Sequence, residues 1–76
     1  MGERTSFKCQ FRLSGLRMKA TGHKTKAGDW KIFSIGAVDL PTALLPFEVQ
    51  NEAMGLVRLP PFPSKEAAIG HLKGCR

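Results

Sequence analysis

Tyrosine is absent from this sequence of 76 residues, which has only one tryptophan and two cysteines. No apolar run approaches the roughly 18 residues of a membrane-spanning helix, so we expect no transmembrane segment. Residues 1–7 are polar, which predicts no secretory signal. Small secreted domains usually carry several disulfides, so we predict that Cys9 and Cys75 are reduced thiols in a cytoplasmic protein. A single disulfide between them is the alternative.

Motifs for catalysis and for metal binding are also missing. The sequence contains no Gly-x-Ser-x-Gly, no phosphate-binding loop and no Gly-x-Gly-x-x-Gly, and neither histidine has a visible acid partner. Four residues could in principle bind zinc, but they lack the paired Cys-x₂₋₄-Cys of a structural zinc site. They are Cys9, His23, His71 and Cys75. The sequence therefore predicts no enzyme, no metal site and no cofactor.

Acidic residues are few, and the basic residues are concentrated in one part of the chain. Lys and Arg number 12 against 6 Asp and Glu, which gives a net charge of +6. Eight of the basic residues and two of the acidic ones fall in residues 1–31. This asymmetry predicts an anionic partner, with nucleic acid favoured over a membrane surface. A solvated basic surface without any partner is the alternative.

Alternating apolar residues predict strands in the first half of a single domain covering residues 1–76. Apolar and polar residues alternate over residues 7–13 and again over residues 16–20. Between them, at Ser14-Gly15, the alternation shifts by one residue, which predicts either a bulge or a tight turn. Residues 22–29 are predicted to be a mobile basic loop, and residues 30–38 a central strand that is apolar on both faces. Four outward cations would then form a positive platform, namely Lys8, Arg12, Arg17 and Lys19.

Proline and glycine punctuate the second half of the chain. We predict an edge strand over residues 44–49, a short strand over residues 56–59, and a rigid connector at residues 60–63. A helix of roughly 9 residues should follow, with Ser64 as its N-cap. The predicted fold is α+β and mainly β, with a small antiparallel sheet of about four strands and one short C-terminal helix. A truncated β-barrel of the oligonucleotide-binding type is the alternative.

Part of the chain resembles a known family. Residues 35–49 read Ile-Gly-Ala-Val-Asp-Leu-Pro-Thr-Ala-Leu-Leu-Pro-Phe-Glu-Val, and residues 55–60 read Gly-Leu-Val-Arg-Leu-Pro. With Lys19-Ala20, these segments resemble the SpoVG (stage V sporulation protein G, septation regulator) family over about residues 16–63. The resemblance implies a cytosolic, usually dimeric protein with a sheet and a C-terminal helix that binds DNA or RNA. The Lys-rich loop is longer here than in that family, and most of the family's basic C-terminal region is missing.

The predicted site combines a track of cations with one aromatic surface. Cations contact phosphates, and an exposed aromatic ring stacks on bases, as in proteins that bind single strands. The predicted residues are Arg12, Arg17, Lys19, Lys24, Lys26 and Lys31 for phosphates and Trp30 for stacking. Burial of Trp30 in the core is the alternative. No helix carries the Arg, Asn and Gln set that reads base edges, so we predict single-stranded DNA or RNA bound with low sequence specificity.

A protein-interaction module, inhibitor or accessory factor is the alternative function. It would use an edge strand near Pro46 or the proline-rich residues 60–63. We also predict a homodimer, because so short a chain buries little apolar surface alone. The predicted contact residues are Leu45, Phe47, Val49, Ile69 and Leu72.

Overall fold

The computed structural model describes residues 5–76, which form a mixed α+β fold. Its elements are β1 (Ser6–Leu13), β2 (Leu16–Lys24), β3 (Trp30–Ala37), a 3₁₀ turn (Thr42–Leu44), α1 (Phe47–Val57) and α2 (Lys65–His71). The three strands form one open antiparallel sheet in the order β1-β2-β3. The predicted α+β class is confirmed. The predicted number of four strands and one helix is wrong, and so is the alternative of a barrel. The strand β3, which was predicted to be central, lies at an edge of the sheet.

A two-residue turn joins β1 to β2. Ser14 and Gly15 have φ values of 50° and 78°, and Leu13 pairs directly with Leu16. Two successive positive φ angles are typical of the tight hairpin turns whose twist matches that of the flanking strands. The phase shift in the sequence is therefore a turn between two strands rather than a bulge within one.

A bulge in β3 decides which of its aromatic side chains is buried. Thr21 of β2 pairs with Ser34, but the next residue, Gly22, pairs with Ile32, so Phe33 has no partner in the ladder. The extra residue shifts the alternation of the strand. As a result Trp30 is only 9% exposed, whereas Phe33 is 64% exposed.

The core lies between one face of the sheet and the two helices. The central strand contributes Met18, Ala20 and Gly22 there. A Cβ atom on Gly22 would collide with the ring of Phe7 and lie 2.8 Å from the Lys31 carbonyl oxygen. The buried residues from all layers form one cluster. They are Phe7, Cys9, Phe11, Met18, Ala20, Trp30, Ile32 and Ala37 from the sheet, and Leu45, Val49, Ala53, Ala68 and Leu72 from the helical layer.

The helix α1 occupies residues 47–57, where two strands were predicted. Val49, Ala53 and Leu56 recur at the i, i+4, i+7 spacing of one helix face, and the first two are buried. Pro46 lies at the N-cap, where its missing amide hydrogen removes no helix hydrogen bond. The predicted strands over residues 44–49 and 56–59 are therefore wrong.

The predicted C-terminal helix is confirmed as α2. The Ser64 hydroxyl accepts a hydrogen bond from the Ala67 amide at 3.0 Å, and Glu66 lies in the first turn, where the helix dipole favours an anion. Lys73 and Gly74 follow the helix with φ values of 44° and 72°. In residues 5–76 neither helix has the length and hydrophobicity needed to cross a membrane.

Both outer strands are tied to segments that are distant in sequence. Gln10 of β1 exchanges two backbone hydrogen bonds with Arg76, at 2.8 and 2.9 Å. Trp30 of β3 exchanges two with Phe62, both at 2.7 Å, so the proline-rich connector is held against the sheet. Free backbone groups at sheet edges invite unwanted pairing, and these contacts occupy part of each edge.

Cys9 and Cys75 form a disulfide across the first of these contacts. Their Cα atoms lie 5.4 Å apart, within the usual range for disulfides. The prediction of two reduced thiols is wrong, because the segment after α2 returns along β1 and brings together residues 66 positions apart. A disulfide also removes the argument from reduced cysteines for a cytoplasmic location.

We predict that replacing both Cys9 and Cys75 by serine lowers the free energy of unfolding by about 4 kcal/mol, the loop-entropy value for so long a closed loop. That loss is a large part of the stability of so small a domain. Urea unfolding followed by Trp30 fluorescence measures it. A reductant should lower the midpoint of the natural protein to that of the double variant and leave the variant itself unchanged. Equal midpoints for the oxidised protein and the variant would contradict a stabilising disulfide.

Candidate nucleic-acid interface

The sheet face opposite the helices carries polar and basic side chains. Since side chains alternate along each strand, the residues between the buried ones point to this face. From β1 and β2 they are Ser6, Lys8, Gln10, Arg12, Arg17, Lys19, Thr21 and His23. All but Thr21, which is half-buried, are exposed. We call this surface, with Phe33 and Ser34 of β3, the open face.

Cross-strand register brings four cations together on the open face. Arg12 pairs with Arg17 next to the hairpin turn, Lys19 is opposite Gln10, and Lys8 is opposite Thr21. Like charges directly opposite each other on a sheet are destabilising. The face therefore concentrates positive charge at a small cost to the fold, and a bound anion would relieve that repulsion.

Two local contacts orient the arginines at the turn. The Arg12 guanidinium donates to the Gly15 carbonyl at 3.0 Å. An Arg17 nitrogen lies 3.6 Å from an Asp39 carboxylate oxygen, and both side chains are about half exposed or more, so this ion pair contributes little to stability. The lysines Lys8 and Lys19 are exposed on the same face.

An exposed aromatic ring lies at the other end of the open face. The Phe33 ring meets the His23 ring edge-on, with centroids 5.2 Å apart. A hollow of about 400 Å³ beside them is lined by Ser6, Thr21, Gly22, His23 and Phe33. The hydroxyls of Thr21 and Ser34 share a hydrogen bond of 2.6 Å at its border. The hollow thus offers an almost entirely apolar surface that includes one aromatic ring.

The structure brings together only some of the residues predicted for the site. Arg12, Arg17 and Lys19 share the open face, and Lys8 joins them. Sequence reasoning put Lys8 on the positive platform but left it out of the site. Lys24 and Lys26 lie at the rim, since Lys24 is half-buried at the end of β2 and Lys26 is exposed in the following loop.

That loop is shorter than predicted. β2 continues to Lys24, so the loop comprises residues 25–29 rather than 22–29. The Thr25 amide donates to the Asp29 carbonyl at 2.7 Å, and the Asp29 amide donates to the Thr25 hydroxyl at 3.2 Å. These bonds close the loop on itself, and the predicted bounds of residues 22–29 are wrong.

Trp30 and Lys31 have structural contacts instead of positions on the open face. The Trp30 ring lies in the core, with its centroid 6.2 Å from that of Phe7. Burial of Trp30 was the alternative to stacking in the sequence analysis, and the structure has this alternative. The Lys31 ammonium donates to the carbonyl of Val57, at the end of α1. A cation at a helix C-terminus is favoured by the unpaired carbonyls and the helix dipole.

Phe33 is the aromatic residue that sequence reasoning missed. The only signal was that residues 30–37 are apolar on both faces, which left undecided which aromatic ring pointed outward. The bulge that decides it falls at Phe33, three residues before Gly36, the one glycine of β3, so no glycine or proline of that strand marks its position.

Acidic groups lie mostly away from the open face. Glu48 and Glu52 are on α1 and Glu66 is on α2, in the layer on the other side of the sheet. Asp39 is paired with Arg17. Such a separation of charge produces a positive potential over the open face. In the described part of the chain no cluster of three or more His, Cys, Asp or Glu residues could hold a metal ion.

Comparison with known proteins finds no family model, no curated protein and no solved structure that matches this chain. The relationship to the SpoVG family stays a prediction. Within the segment that resembles that family, residues 47–57 are helical.

We predict opposite outcomes for alanine substitutions at the two aromatic residues of β3. Trp30→Ala removes a buried ring and should cost about 3–5 kcal/mol, enough to unfold much of the protein. Phe33→Ala removes an exposed ring and should change stability by less than about 0.5 kcal/mol. Thermal unfolding followed by circular dichroism compares them. A stable Trp30→Ala variant, or an unfolded Phe33→Ala variant, would contradict the assigned faces.

Proposed function

We propose that this protein binds single-stranded DNA or RNA on the open face with low sequence specificity. The observation that carries the proposal is the exposed Phe33 ring on the same uncovered sheet face as four cations. An aromatic surface next to a positively charged track is the combination by which single strands are bound.

The cations would contact the phosphate backbone. From Arg17 to His23 the face extends along β2 for about 20 Å, at roughly 3.4 Å per residue. Lys8, Arg12, Arg17 and Lys19 lie along this track on two neighbouring strands. Contacts between lysine or arginine and phosphate orient a nucleic acid without reading its sequence, which supports low specificity.

Phe33 would stack on a base at the end of the track. Stacking on an aromatic side chain is worth about 1–3 kcal/mol per base and tolerates any base. The hollow beside the ring is almost entirely apolar, which suits the flat face of a base and offers little for reading its edge. A duplex keeps its bases stacked inside, so this surface favours single strands.

The proposed site therefore differs from the one predicted from the sequence. Phe33 replaces Trp30 as the stacking residue, and Lys8 replaces Lys31. Lys24 and Lys26 are at the rim, where they would extend the positive field rather than form the centre of the site. The predicted cytoplasmic location is not part of this proposal, because a stabilising disulfide between Cys9 and Cys75 is typical of oxidising compartments.

Use of the proline-rich segment as a docking peptide is not favoured. Phe62 is half-buried, and its backbone is hydrogen-bonded to the backbone of Trp30. The Phe62 ring lies near the His71 ring, with their centroids 5.3 Å apart. A segment held against its own chain must be released before it can enter a groove on another protein, which costs binding energy.

Neutralising Lys8 and Lys19 together should weaken binding to a single-stranded oligonucleotide uniformly across sequences. The slope of log K against log salt should fall by about 1.4, since each phosphate contact on a single strand contributes about 0.7. Fluorescence anisotropy of a labelled oligonucleotide at several salt concentrations measures both the affinity and the slope for Lys8→Gln with Lys19→Gln.

The matched control is Lys65→Gln with Lys73→Gln, which removes the same charge from the helical layer and should leave the slope nearly unchanged. In the same assay Phe33→Ala should lose about 1–3 kcal/mol of affinity while keeping the salt slope. Equal losses for the two lysine pairs would mean that net charge, and not the open face, drives binding.

A further inference from the structure

A groove lies on the helical side of the sheet, next to the turn between β1 and β2. Its volume is about 400 Å³, and its lining comes from the end of β1, from α1 and the turn after it, and from the end of α2. Small-molecule sites are typically clefts of roughly 300–1,000 Å³ with apolar walls and a few polar groups. This groove has that size and that composition.

The interior of the groove is apolar. Phe11 and Leu72, which are 6% and 3% exposed, belong to the core and reach its surface here. The half-buried side chains beside them are Leu13, Leu56 and Leu59. A cavity of roughly 150 Å³ admits benzene, so this groove has room for a longer apolar body such as an alkyl chain.

A glycine of α1 leaves part of the groove unfilled. Gly55 lies within the helix, where glycine is less favourable than alanine. Its φ is not positive, and no heavy atom lies within 4 Å of the position that a Cβ atom would take. Neither backbone conformation nor close packing therefore requires glycine at this position, and its effect is to keep space open along the groove.

The rim of the groove carries more basic than acidic groups. Arg12, His71 and Lys73 are basic, Glu52 is acidic, and all four side chains are exposed. The Arg12 guanidinium donates to the Gly15 carbonyl, whereas no ion pair within residues 5–76 involves Lys73. An apolar interior below a mainly basic rim is complementary to an organic anion that has an apolar body.

We infer that this groove binds a free aliphatic carboxylate, with the alkyl chain between the leucines and the carboxylate at Lys73 and Arg12. Removal of the chain from water provides the affinity. The cations determine which end group is accepted, because a carboxylate accepts charge-assisted hydrogen bonds from lysine and arginine. The inference does not depend on the proposed nucleic-acid binding, and Arg12 is the one residue that both sites share.

A second copy of the chain is a less suitable occupant of the groove. Among the residues predicted for a dimer contact, only Leu72 lines the groove, and it is buried within its own chain. Leu45 and Val49 are also buried in the core. Ile69 is half-buried, and only Phe47 is exposed. The homodimer therefore stays a prediction.

Titration with octanoate followed by NMR tests both the ligand and its position. The largest shifts should fall around Leu56, Leu59 and Lys73. Octanol and octylammonium have the same chain with a neutral and a positive end group. Octanoate should bind about fivefold more tightly than octanol, the factor that one charge about 4 Å away contributes in water. Octylammonium should bind most weakly. Equal affinities for the three ligands, no binding of octanoate, or shifts centred outside the groove would overturn the inference.

Filling the groove tests its position independently. Gly55→Leu places a side chain where the alkyl chain would lie, so it should weaken octanoate binding at least about tenfold. Leucine is a better helix former than glycine, so this variant should be no less stable in thermal unfolding. The matched control is Gly70→Leu on α2, where a Cβ atom also has no heavy atom within 4 Å and which does not line the groove. Equal effects of the two variants, or full affinity of Gly55→Leu, would contradict the site.

Two substitutions at the rim should have opposite effects. Lys73→Gln should weaken octanoate binding about fivefold, and Glu52→Gln should strengthen it by a similar factor, since one removes an attractive and the other a repulsive charge. The matched control, Lys65→Gln, removes a positive charge outside the groove and should leave the affinity nearly unchanged. None of the three should change octanol binding. Equal effects of Lys73→Gln and Lys65→Gln would mean that net charge, and not the rim, attracts the carboxylate, and would overturn the assignment.

Discussion

The packing of two short helices on one face of a three-stranded sheet is the constraint on which the rest of the structure depends. The strands contribute Phe7, Met18 and Ile32 to this core, and the helices contribute Val49 and Ala68. In the described chain these helices are the only layer, so the other sheet face remains in water. Basic and hydroxyl-bearing side chains cover that face, because they remain hydrated in water. The basic side chains among them give the face its positive charge.

The close fit of this core follows from small residues at its centre. Gly22 lets the Phe7 ring lie directly on the middle strand, and the bulge at Phe33 turns Trp30 inward beside it. The same bulge turns the Phe33 ring outward to the open face. One irregularity in β3 therefore completes the core and supplies the aromatic part of the proposed site.

Much of the sheet could be predicted from the sequence, because alternation in residues 7–20 directly reflects one buried and one solvated face. The N-cap at Ser64 could be predicted for a similar reason, since its hydroxyl acts within one turn of the chain. Residues 44–59 could not, because Leu45, Phe47 and Val49 alternate over a short window while the helical spacing of Val49, Ala53 and Leu56 extends beyond it.

The remaining errors concern contacts between distant parts of the chain. The disulfide joins residues 66 positions apart and depends on the path of the chain after α2. The contact between Lys31 and the Val57 carbonyl depends on where α1 ends. Neither leaves a local pattern. Predicting Trp30 as the stacking residue failed because strand alternation alone does not locate a bulge, and β3 has neither glycine nor proline at Phe33 itself.

The central claim is that the open face, and not the helical layer, binds single-stranded nucleic acid. Its most direct test is a series of backbone-amide NMR spectra recorded while a short single-stranded oligonucleotide is added. The account predicts that the largest shifts fall on outward residues of the sheet, around Lys8, Lys19 and Phe33, with small shifts in α1 and α2. Shifts centred on the helices, or none at saturating oligonucleotide, would contradict it.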